Sequence, residues 1–557
     1  MAFESISDLY ATAFLSGVLL HVTVFRFGEW DMYFLTIVAG TLLLDLSATV
    51  AVRYGTAVGH ESLWVAFQFV SSVLGCCVVG IFSSILVYRL AFHRLNKFPG
   101  PFLARISNIY PTALSLKEPK FQLHREVQAL HRQYGDIVRL GPSELSISDP
   151  RAVDLIHSNQ SRCYKGPWYN ILWPTRPLNA LRDRTAHAKR RRAWDKGMAL
   201  RNYEPRVTQY AVQLLKRIDE SRGQPMNVTK WFNFYGFDVM GDVGFGQELG
   251  MLREGETHYF MSATYQFMLV VRLFSHLVWL FPLYKMLPVV NQNVKRFEGW
   301  IVEQVQDRRK VNDCLTAEPL FRRGSADDDY EAPEKPTLQE TLDLHGDALL
   351  VVVAGSHTAA IALTCLFFEL ARQPRALKLL QDEIDECYAA AGEAEPSAQA
   401  LSRLEYLQAC MTETLRMWPP SPSGLQRKTP PEGLQLGSVF IPGDVVVQNP
   451  QYTIYRDERL FARPNEFVPD RWTTQPELVS DTAKETSAFA PFSSGRYGCA
   501  GKGLALMELA IVVSRIVRRY DVRLAPNQGA VEFIQGLRDS ITLTAPPLHL
   551  CFDARTP

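Results

Sequence analysis

Phe492-Ser493-Ser494-Gly495-Arg496-Tyr497-Gly498-Cys499-Ala500-Gly501 is the stretch whose reading decides this chain. A single cysteine stands between glycines, and a run with helical spacing, Gly503 to Val513, begins directly after it. Glycines let a loop pass close to a flat ligand, because no Cβ stands in the way. A cysteine just before a helix start meets unpaired N–H groups and the positive end of the helix dipole, and both favour its thiolate form.

A thiolate held in this way serves as an axial ligand for haem iron. One cysteine among nine carries little weight, since most free cysteines are small core residues. The whole spacing is far more specific. The decamer resembles the cysteine loop of the cytochrome P450 family, in which Phe-x-x-Gly precedes Cys-x-Gly. The resemblance implies haem b bound axially through Cys499, with Phe492, Gly495 and Gly501 shaping the loop around it. One departure stands out: the family usually has Arg or His two residues before the cysteine. Here that place is Tyr497, and Arg496 is one step earlier; either Arg496 reaches round to bind the haem propionates, or His187, Arg191 and Arg427 carry them without it.

The chain has 557 residues and is 47% hydrophobic, enough for a large core and for several domains. A net charge of +1 argues neither for nucleic acid nor for an acidic partner for the chain as a whole. Nine cysteines form no regular framework and no CxxC pair, which reads as a reduced, cytosol-facing protein. The Asn-x-Ser/Thr triplets at Asn159 and Asn227 are then chance matches rather than glycosylation sites.

The first hundred residues differ from the rest. Leu9 to Phe25 is apolar apart from His21, Met32 to Val52 apart from Asp45, and Ser62 to Tyr88 carries only Gln68 as a strongly polar side chain. A membrane-crossing helix needs ~20 mostly apolar residues, so an anchor of up to three transmembrane helices is expected (residues 9–25, 32–52 and 62–88). The first two stretches could instead be re-entrant or interfacial. Arg89, His93, Arg94 and Lys97 place the end of the third in the cytosol. Asp45 inside a span needs a partner. Phe98-Pro99-Gly100-Pro101 ends the anchor as a stiff elbow, and it resembles the proline-rich hinge of microsomal family members. The expected organisation is therefore an anchor over residues 1–98 and a catalytic domain over residues 99–557.

Within that domain, Tyr134–Leu140 and Glu144–Ser148 alternate about Gly141-Pro142 and predict a β-hairpin. Trp168–Leu178 is aromatic, and by resemblance it lies over the substrate. His187 and Arg191 are four apart on a basic helical stretch and share a face. Haem propionates need cations, and the corresponding family helix supplies them, so these two are candidates. Lys189, Arg190, Arg192 and Lys196 form either a docking surface for an acidic electron donor or a solvated basic face. Tyr259–Pro288 is apolar and aromatic. It reads as a roof over the substrate touching the bilayer or as another span, and Arg272 and His276 favour the roof. Arg322–Pro336 is polar, acidic and proline-bearing, a surface loop.

Glu340–Arg372 predicts one long helix closed by Pro374. In its middle lies Ala354-Gly355-Ser356-His357-Thr358-Ala359, whose small residues permit close approach of a flat cofactor. Thr358 can bond back to the Ala354 carbonyl and loosen the helix. This segment resembles the family's oxygen-activating Ala-Gly-x-Asp/Glu-Thr-Thr and makes Thr358 the hydroxyl that steers protons. His357 replaces the usual acid and Ala359 the second threonine. His357 is either a proton relay near neutral pH or an inert side chain facing away.

Leu401–Met417 is predicted helical, and Glu413 and Arg416 sit side by side on it. With Phe467-Val468-Pro469-Asp470-Arg471-Trp472 downstream they resemble the family's Glu-x-x-Arg pair and its second arginine. That implies a buried, structural Glu413–Arg416–Arg471 network. Arg427 is a further propionate candidate. Ile441–Val447 predicts a turn into a strand, and Ser540–Thr544 a strand.

Five signatures in family order imply a mainly α fold with small β-sheets, the cytochrome P450 fold. The implied activity is a monooxygenase that takes O2 and two electrons and oxidises a lipophilic small molecule. Its electrons would come from NADPH through the membrane-bound NADPH-cytochrome P450 reductase, with cytochrome b5 as a second candidate donor. The expected site is the endoplasmic reticulum membrane, with membrane lipid against the anchor and the catalytic domain in the cytosol. The loop wording is most similar to fungal members, including those like the tryprostatin hydroxylases of secondary metabolism. An O2-independent haem-thiolate isomerase or dehydratase and a haem-dependent sensor or carrier are the alternatives. NADPH-independent turnover would mark the former, and a substrate-induced spin shift without product the latter.

Overall fold

Away from water a chain must satisfy its backbone internally, so long apolar runs become helices. The computed structural model describes residues 6–55, 62–197, 203–287, 291–312 and 337–555, and the loop expected over Arg322–Pro336 lies outside these. Helical segments Ile6–Phe25, Asp31–Gly55 and Leu63–Phe92 are long and apolar enough to cross a membrane and are only 11%, 6% and 11% buried. Small residues bring the first and third together. A Cβ on Gly17 would lie 2.0 Å from the Cys77 carbonyl oxygen, and one on Gly80 2.1 Å from that of Phe14. Asp45 has the partner it needs, accepting a hydrogen bond from Ser71 Oγ at 2.8 Å.

These helices belong to the first of two compact units, built from Met1–Thr112, Val138–Glu144 and Phe274–Asn291. In it the Phe98–Pro101 elbow is sewn to the Ile137–Gly141 strand, for Arg139 N–H donates to the Pro99 carbonyl at 2.8 Å. A Cβ on Gly100 would come within 2.5 Å of the Arg139 carbonyl oxygen, so the approach requires glycine. The Arg139 side chain is fully buried and donates to Asn96 Oδ1 at 2.7 Å and to the Pro142 carbonyl at 2.8 Å. The same unit contains the second part of the stretch read as a roof. Trp279 meets Phe34 of the anchor edge-on, with ring centres 4.9 Å apart. His276 Nδ1 lies 3.0 Å from Glu144 Oε2 and both are buried.

The second unit comprises Ala113–Ile137, Leu145–Leu273 and Gln292–Pro557. Tyr259–Leu273, the first part of the predicted roof, is a helix of 15 residues, too short to span a bilayer. The central helix runs Leu338–Arg372 over 35 residues, about 50 Å. It starts two residues before the expected Glu340, because Thr337 and Glu340 form a reciprocal capping box. By composition it could cross a membrane, but 67% of its apolar window is buried, so it is a core element. The Val228–Phe245 helix lies against it with glycines at the contacts. A Cβ on Gly236 would lie 2.5 Å from Ser356 O, and one on Gly244 2.8 Å from Val352 Cγ2.

Three sequence expectations are adjusted here. The predicted Leu401–Met417 helix is two, Ala398–Leu401 and Glu405–Met417. The break arises because the Glu383 carboxylate caps the second, accepting from Tyr406 N–H and Leu407 N–H at 2.8 Å each. The predicted Ser540–Thr544 strand is a hairpin tip, with Arg538–Ser540 and Thr542–Thr544 paired about Ile541. Ile541 has φ +73°, a costly conformation for a β-branched residue. The flanks hold it there, through Asp539 N–H to Phe121 O at 2.7 Å and Leu543 N–H to Pro420 O at 2.8 Å. Finally, Gly355 is occupied on its open side by Met240, whose Cε would be 2.5 Å from an added Cβ. That small residue serves helix packing rather than cofactor approach. The expected strands at Ile137–Gly141, Glu144–Ile147 and Val446–Gln448 are present.

Four buried histidines of this unit have lowered pKa values, chiefly through burial: His131 to about 4, His357 to about 4, His187 to about 3 and His124 well below its ordinary 6.5. Between those values and 6.5 the unfolded chain binds more protons than the folded one. The histidine contribution to stability should therefore be level above pH 7 and fall as pH drops from 6.5 towards 4, by up to ~1.4 kcal/mol per pH unit for each histidine. Because Lys165, Asp238 and Glu508 also titrate anomalously, the check is the difference in denaturant midpoint between wild type and His131→Gln from pH 8 to pH 5, and a difference that does not change with pH would contradict it.

Candidate active site

The Cys499 loop is set by its backbone. Gly495 has φ +63° and no room for a side chain, since a Cβ there would lie 2.4 Å from the His157 carbonyl oxygen. Phe492 O accepts from Cys499 N–H at 2.8 Å and closes the loop. The Lys502–Arg519 helix starts three residues after the cysteine. Burial pushes the Cys499 thiol up, while the Gly501 N–H, the Arg191 charge and the Lys502 N–H pull it back down, and the net displacement is upward. The side chain is nonetheless exposed by area, because it stands in a half-buried loop and faces an open side. The helix start thus supports the thiolate without securing it alone, and a metal cation at sulfur would favour it further.

On the central helix, Ala354 is exposed and Thr358 half-buried, although the residues that follow are nearly all buried. Thr358 Oγ1 donates to Ala354 O at 2.7 Å. His357 is on a different face, 6% exposed, with Nδ1 3.0 Å from Thr542 Oγ1 and Tyr265 edge-on at 5.0 Å. Burial alone lowers its pKa to about 4, so it is neutral near pH 7.

The residue matching the family model is not one signature but most of the chain: residues 108–552 match the model described as Cytochrome P450. The chain belongs to the cytochrome P450 family. This P450 is 47% identical to "Cytochrome P450 monooxygenase FCK2" of Fusarium pseudograminearum, with 98% of each chain covered. It is 43% identical to "Cytochrome P450 monooxygenase orf5" of Eupenicillium brefeldianum, over 86% of this chain and 95% of that one. To the "Tryprostatin B 6-hydroxylase" of Aspergillus fumigatus it is 36% identical, over 94% and 92%. The crystal structure of a cytochrome P450DA heme domain superposes with a TM-score of 0.67 at 17% identity, covering 83% of this chain and 98% of that one, and shows the shared fold. The protein is a P450 monooxygenase, an oxidoreductase of a family that carries haem on a cysteine thiolate.

The residues of this P450 fit such a group. Arg427 is 1% exposed and its Nε is buried without a hydrogen-bond partner, a donor aimed at no protein acceptor. His187 is 5% exposed and meets the Tyr497 ring edge-on at 4.8 Å. Arg191 donates from Nη1 to Gly498 O at 2.5 Å and from Nε to Asp195 Oδ1 at 2.7 Å, which ties the basic helix to the cysteine loop. Arg496 turns away, donating from Nη2 to the carbonyls of Asn159 and Ser161 at 2.6 and 3.1 Å. Arg190 is withdrawn from the basic surface expected of it, because it pairs with Asp347 at 2.5 Å and Asp343 at 3.4 Å. Lys189, Arg192 and Lys196 are exposed. Phe492 is half-buried with Lys502 Nζ 5.9 Å from its ring centre. An added Cβ on Gly501 would only touch Cys499 Sγ, at 4.0 Å, so its value lies in its N–H rather than in lack of bulk.

Glu413, Arg416 and Arg471 come together with no exposed side-chain area. Glu413 accepts from both arginines, from Val468 N–H and from Trp472 Nε1, all between 2.9 and 3.0 Å. Sequence reasoning did not single out Lys165, Tyr265, Thr542 or the cap role of Glu383. Each lies far along the chain from the residue it serves, so no local spacing marks it.

The His357 environment makes a prediction. His357→Asp places a carboxylate beside Tyr265 and Thr542, with no charged group among the influences on that position. A loss of roughly 3 kcal/mol is expected, read as a lower melting temperature. His357→Asn, which stays neutral, should lose less. An aspartate variant as stable as wild type would mean that a cation reaches this position.

Proposed function

We propose that this P450 binds haem b between the Cys499 loop and the Ala354–Thr358 face of the central helix. It then inserts one oxygen atom from O2 into a lipophilic secondary metabolite. The observation that carries the reading is Cys499 itself: an exposed thiol at the end of a glycine loop, held by backbone N–H groups at the start of an 18-residue helix. When bound, the haem supplies O2 activation and oxidation of the substrate, and the thiolate tunes it.

The remaining work falls to the chain's own residues. Cys499 Sγ would ligate the iron, and the N–H groups of Gly501 and Lys502 would hold that sulfur in place. Thr358 presents a hydroxyl on the open face, and because its one proton goes to Ala354 O, its oxygen lone pairs are left to accept a proton there before it releases its own. His357, neutral and bonded to Thr542, positions the central helix against the C-terminal hairpin rather than carrying a proton itself. Arg191 and Arg427 would supply positive charge at the propionate edge, and His187, which burial and the surrounding cations lower to about 3, would supply a neutral N–H donor. Glu413, Arg416 and Arg471 brace the fold beneath the loop.

The three apolar helices anchor the protein in the endoplasmic reticulum membrane, with the catalytic part in the cytosol. Electrons arrive from NADPH through NADPH-cytochrome P450 reductase, with cytochrome b5 as an auxiliary donor. Lys189, Arg192 and Lys196 are the exposed cations suited to receive an acidic donor. A lipophilic secondary metabolite as substrate is supported by the fungal relative named for tryprostatin B.

The test is co-expression with the reductase in a host carrying candidate metabolites under labelled O2. The expected result is a product that depends on NADPH and contains one labelled oxygen atom. Turnover without NADPH, or a product without label, would overturn the reading.

A further inference from the structure

Around Tyr497 the second unit places two buried cations, Lys165 and Arg427, that pair with no carboxylate among the described residues. Lys165 is 2% exposed, and its Nζ lies 4.7 Å from the Tyr497 ring centre. Arg427, 1% exposed, has its guanidinium 5.0 Å from the same ring. Lys165 Nζ donates two of its three N–H bonds, to the carbonyls of Leu178 and Leu181 at 3.0 Å each. Arg427 Nη1 donates to Tyr169 Oη at 2.8 Å and to Gln426 O at 2.9 Å, while Nε has no partner. The Tyr497 hydroxyl is buried and also without a partner.

Among the described residues, none of the ion pairs includes Lys165 or Arg427. The charges acting on Lys165, Arg427 and Arg190, have its own sign and add to burial in lowering its pKa to about 6. Two buried cations of like charge within reach of one ring are unfavourable unless an anion joins them. Arg427 Nε and Tyr497 Oη are thus without partners, and Lys165 has one N–H beyond its two carbonyl bonds, on three side chains that meet at the Tyr497 ring. A carboxylate accepts from several such donors at once.

We infer that Tyr497 and Lys165 are haem-propionate ligands in this protein, together with Arg427, and that they replace the cation usually found two residues before the cysteine. This rests on the haem-thiolate reading above. The tyrosine contributes a hydrogen bond in place of a charge, and the lysine, more than three hundred positions away in the chain, restores the charge. Arg496 takes no part, being held on the Asn159 and Ser161 carbonyls.

The experiment uses the full-length haem-loaded protein and measures the rate at which haem passes to excess apomyoglobin, alongside the reduction midpoint potential. Tyr497→Phe should speed haem loss about tenfold and Lys165→Met about a hundredfold, consistent with one neutral and one charge-assisted hydrogen bond. Lys165→Arg should return the rate to within a few-fold of wild type. Lys165→Met should also lower the midpoint potential, since a buried cation near the haem edge favours the reduced state, and a packing role alone would not move it. All variants should keep the thiolate-type CO spectrum, which separates this claim from the identity of the iron ligand. Haem loss within twofold of wild type in both Tyr497→Phe and Lys165→Met overturns the proposal. If Lys165→Met yields no folded protein, an unchanged rate in Tyr497→Phe overturns it by itself. A wild type lacking the thiolate-type spectrum overturns the haem-thiolate reading and this proposal with it.

Discussion

A Glu413→Ala protein is expected to accumulate no folded, haem-loaded enzyme. Glu413 is the only carboxylate in contact with two fully buried arginines, among the described residues. Arg416 in turn donates from Nη1 to the carbonyls of Tyr455 and Pro464 at 2.7 Å each and from Nη2 to Glu466 O at 3.0 Å. Arg471 donates to Ala462 O at 2.8 Å and Leu478 O at 3.1 Å. One carboxylate thus indirectly fastens the irregular 455–478 segment to the Glu405–Met417 helix. Its removal leaves two guanidinium charges in the interior, and breaking a buried pair of this kind costs ~3–5 kcal/mol. Against a total stability of ~5–15 kcal/mol for a typical domain, that is enough to unfold the unit.

Burial would push the Glu413 carboxyl up. Arg416 above all, then Arg471 and the Val468 N–H, together outweigh it and hold the group below the usual range. Its contribution is therefore present above the unfolded pKa near 4.5 and is lost only as pH falls through the lower folded value. Glu413→Gln keeps the shape and some of the hydrogen bonds and should be less damaging than alanine. Soluble yield, circular dichroism and haem content of the two variants measure this. An alanine variant that folded and retained haem as wild type does would remove the network from its proposed bracing role.

Cys499→Ala should separate chemistry from folding in the opposite way. The side chain is exposed and its backbone N–H bond to Phe492 O does not depend on the sulfur. Stability should stay within ~1 kcal/mol of wild type, as for substitutions away from the core. The thiolate-type CO spectrum and NADPH-dependent turnover should both vanish. Retention of that spectrum would mean a different ligand, and Cys163, Cys365, Cys410 and Cys551 are all buried. The two variants therefore predict opposite patterns: Glu413→Ala loses the fold and everything with it, whereas Cys499→Ala loses spectrum and turnover on an intact fold.

The features legible in the sequence are those set by short spacing. Glu413 and Arg416 are three apart on a helix and must adjoin; Thr358 and Ala354 are four apart and share one hydrogen bond. The glycines around Cys499 and the helix beginning after it are likewise local, and they sufficed to mark the loop. Three apolar runs of membrane-span length were visible because apolarity over ~20 residues needs no partner to be recognised.

What only the tertiary structure decided is which distant segment faces each of these. Asp45 needed a partner, but that it is Ser71 depends on how two helices rotate about each other. Gly355 could have admitted a flat cofactor, and Met240 fills the space instead. Arg190 carried the same charge as its neighbours, yet its place on the helix turns it inward to Asp347. His357 is visible in the sequence as a histidine, but its burial beside Tyr265 and Thr542, which lowers its pKa to about 4, is set by folding. The departure at Tyr497 was plain in the sequence, while Lys165, brought beside it by folding, was not. Helical and loop spacing fixes which side chains of one segment lie together, and the packing of segments remote in sequence sets the burial and the charges they meet.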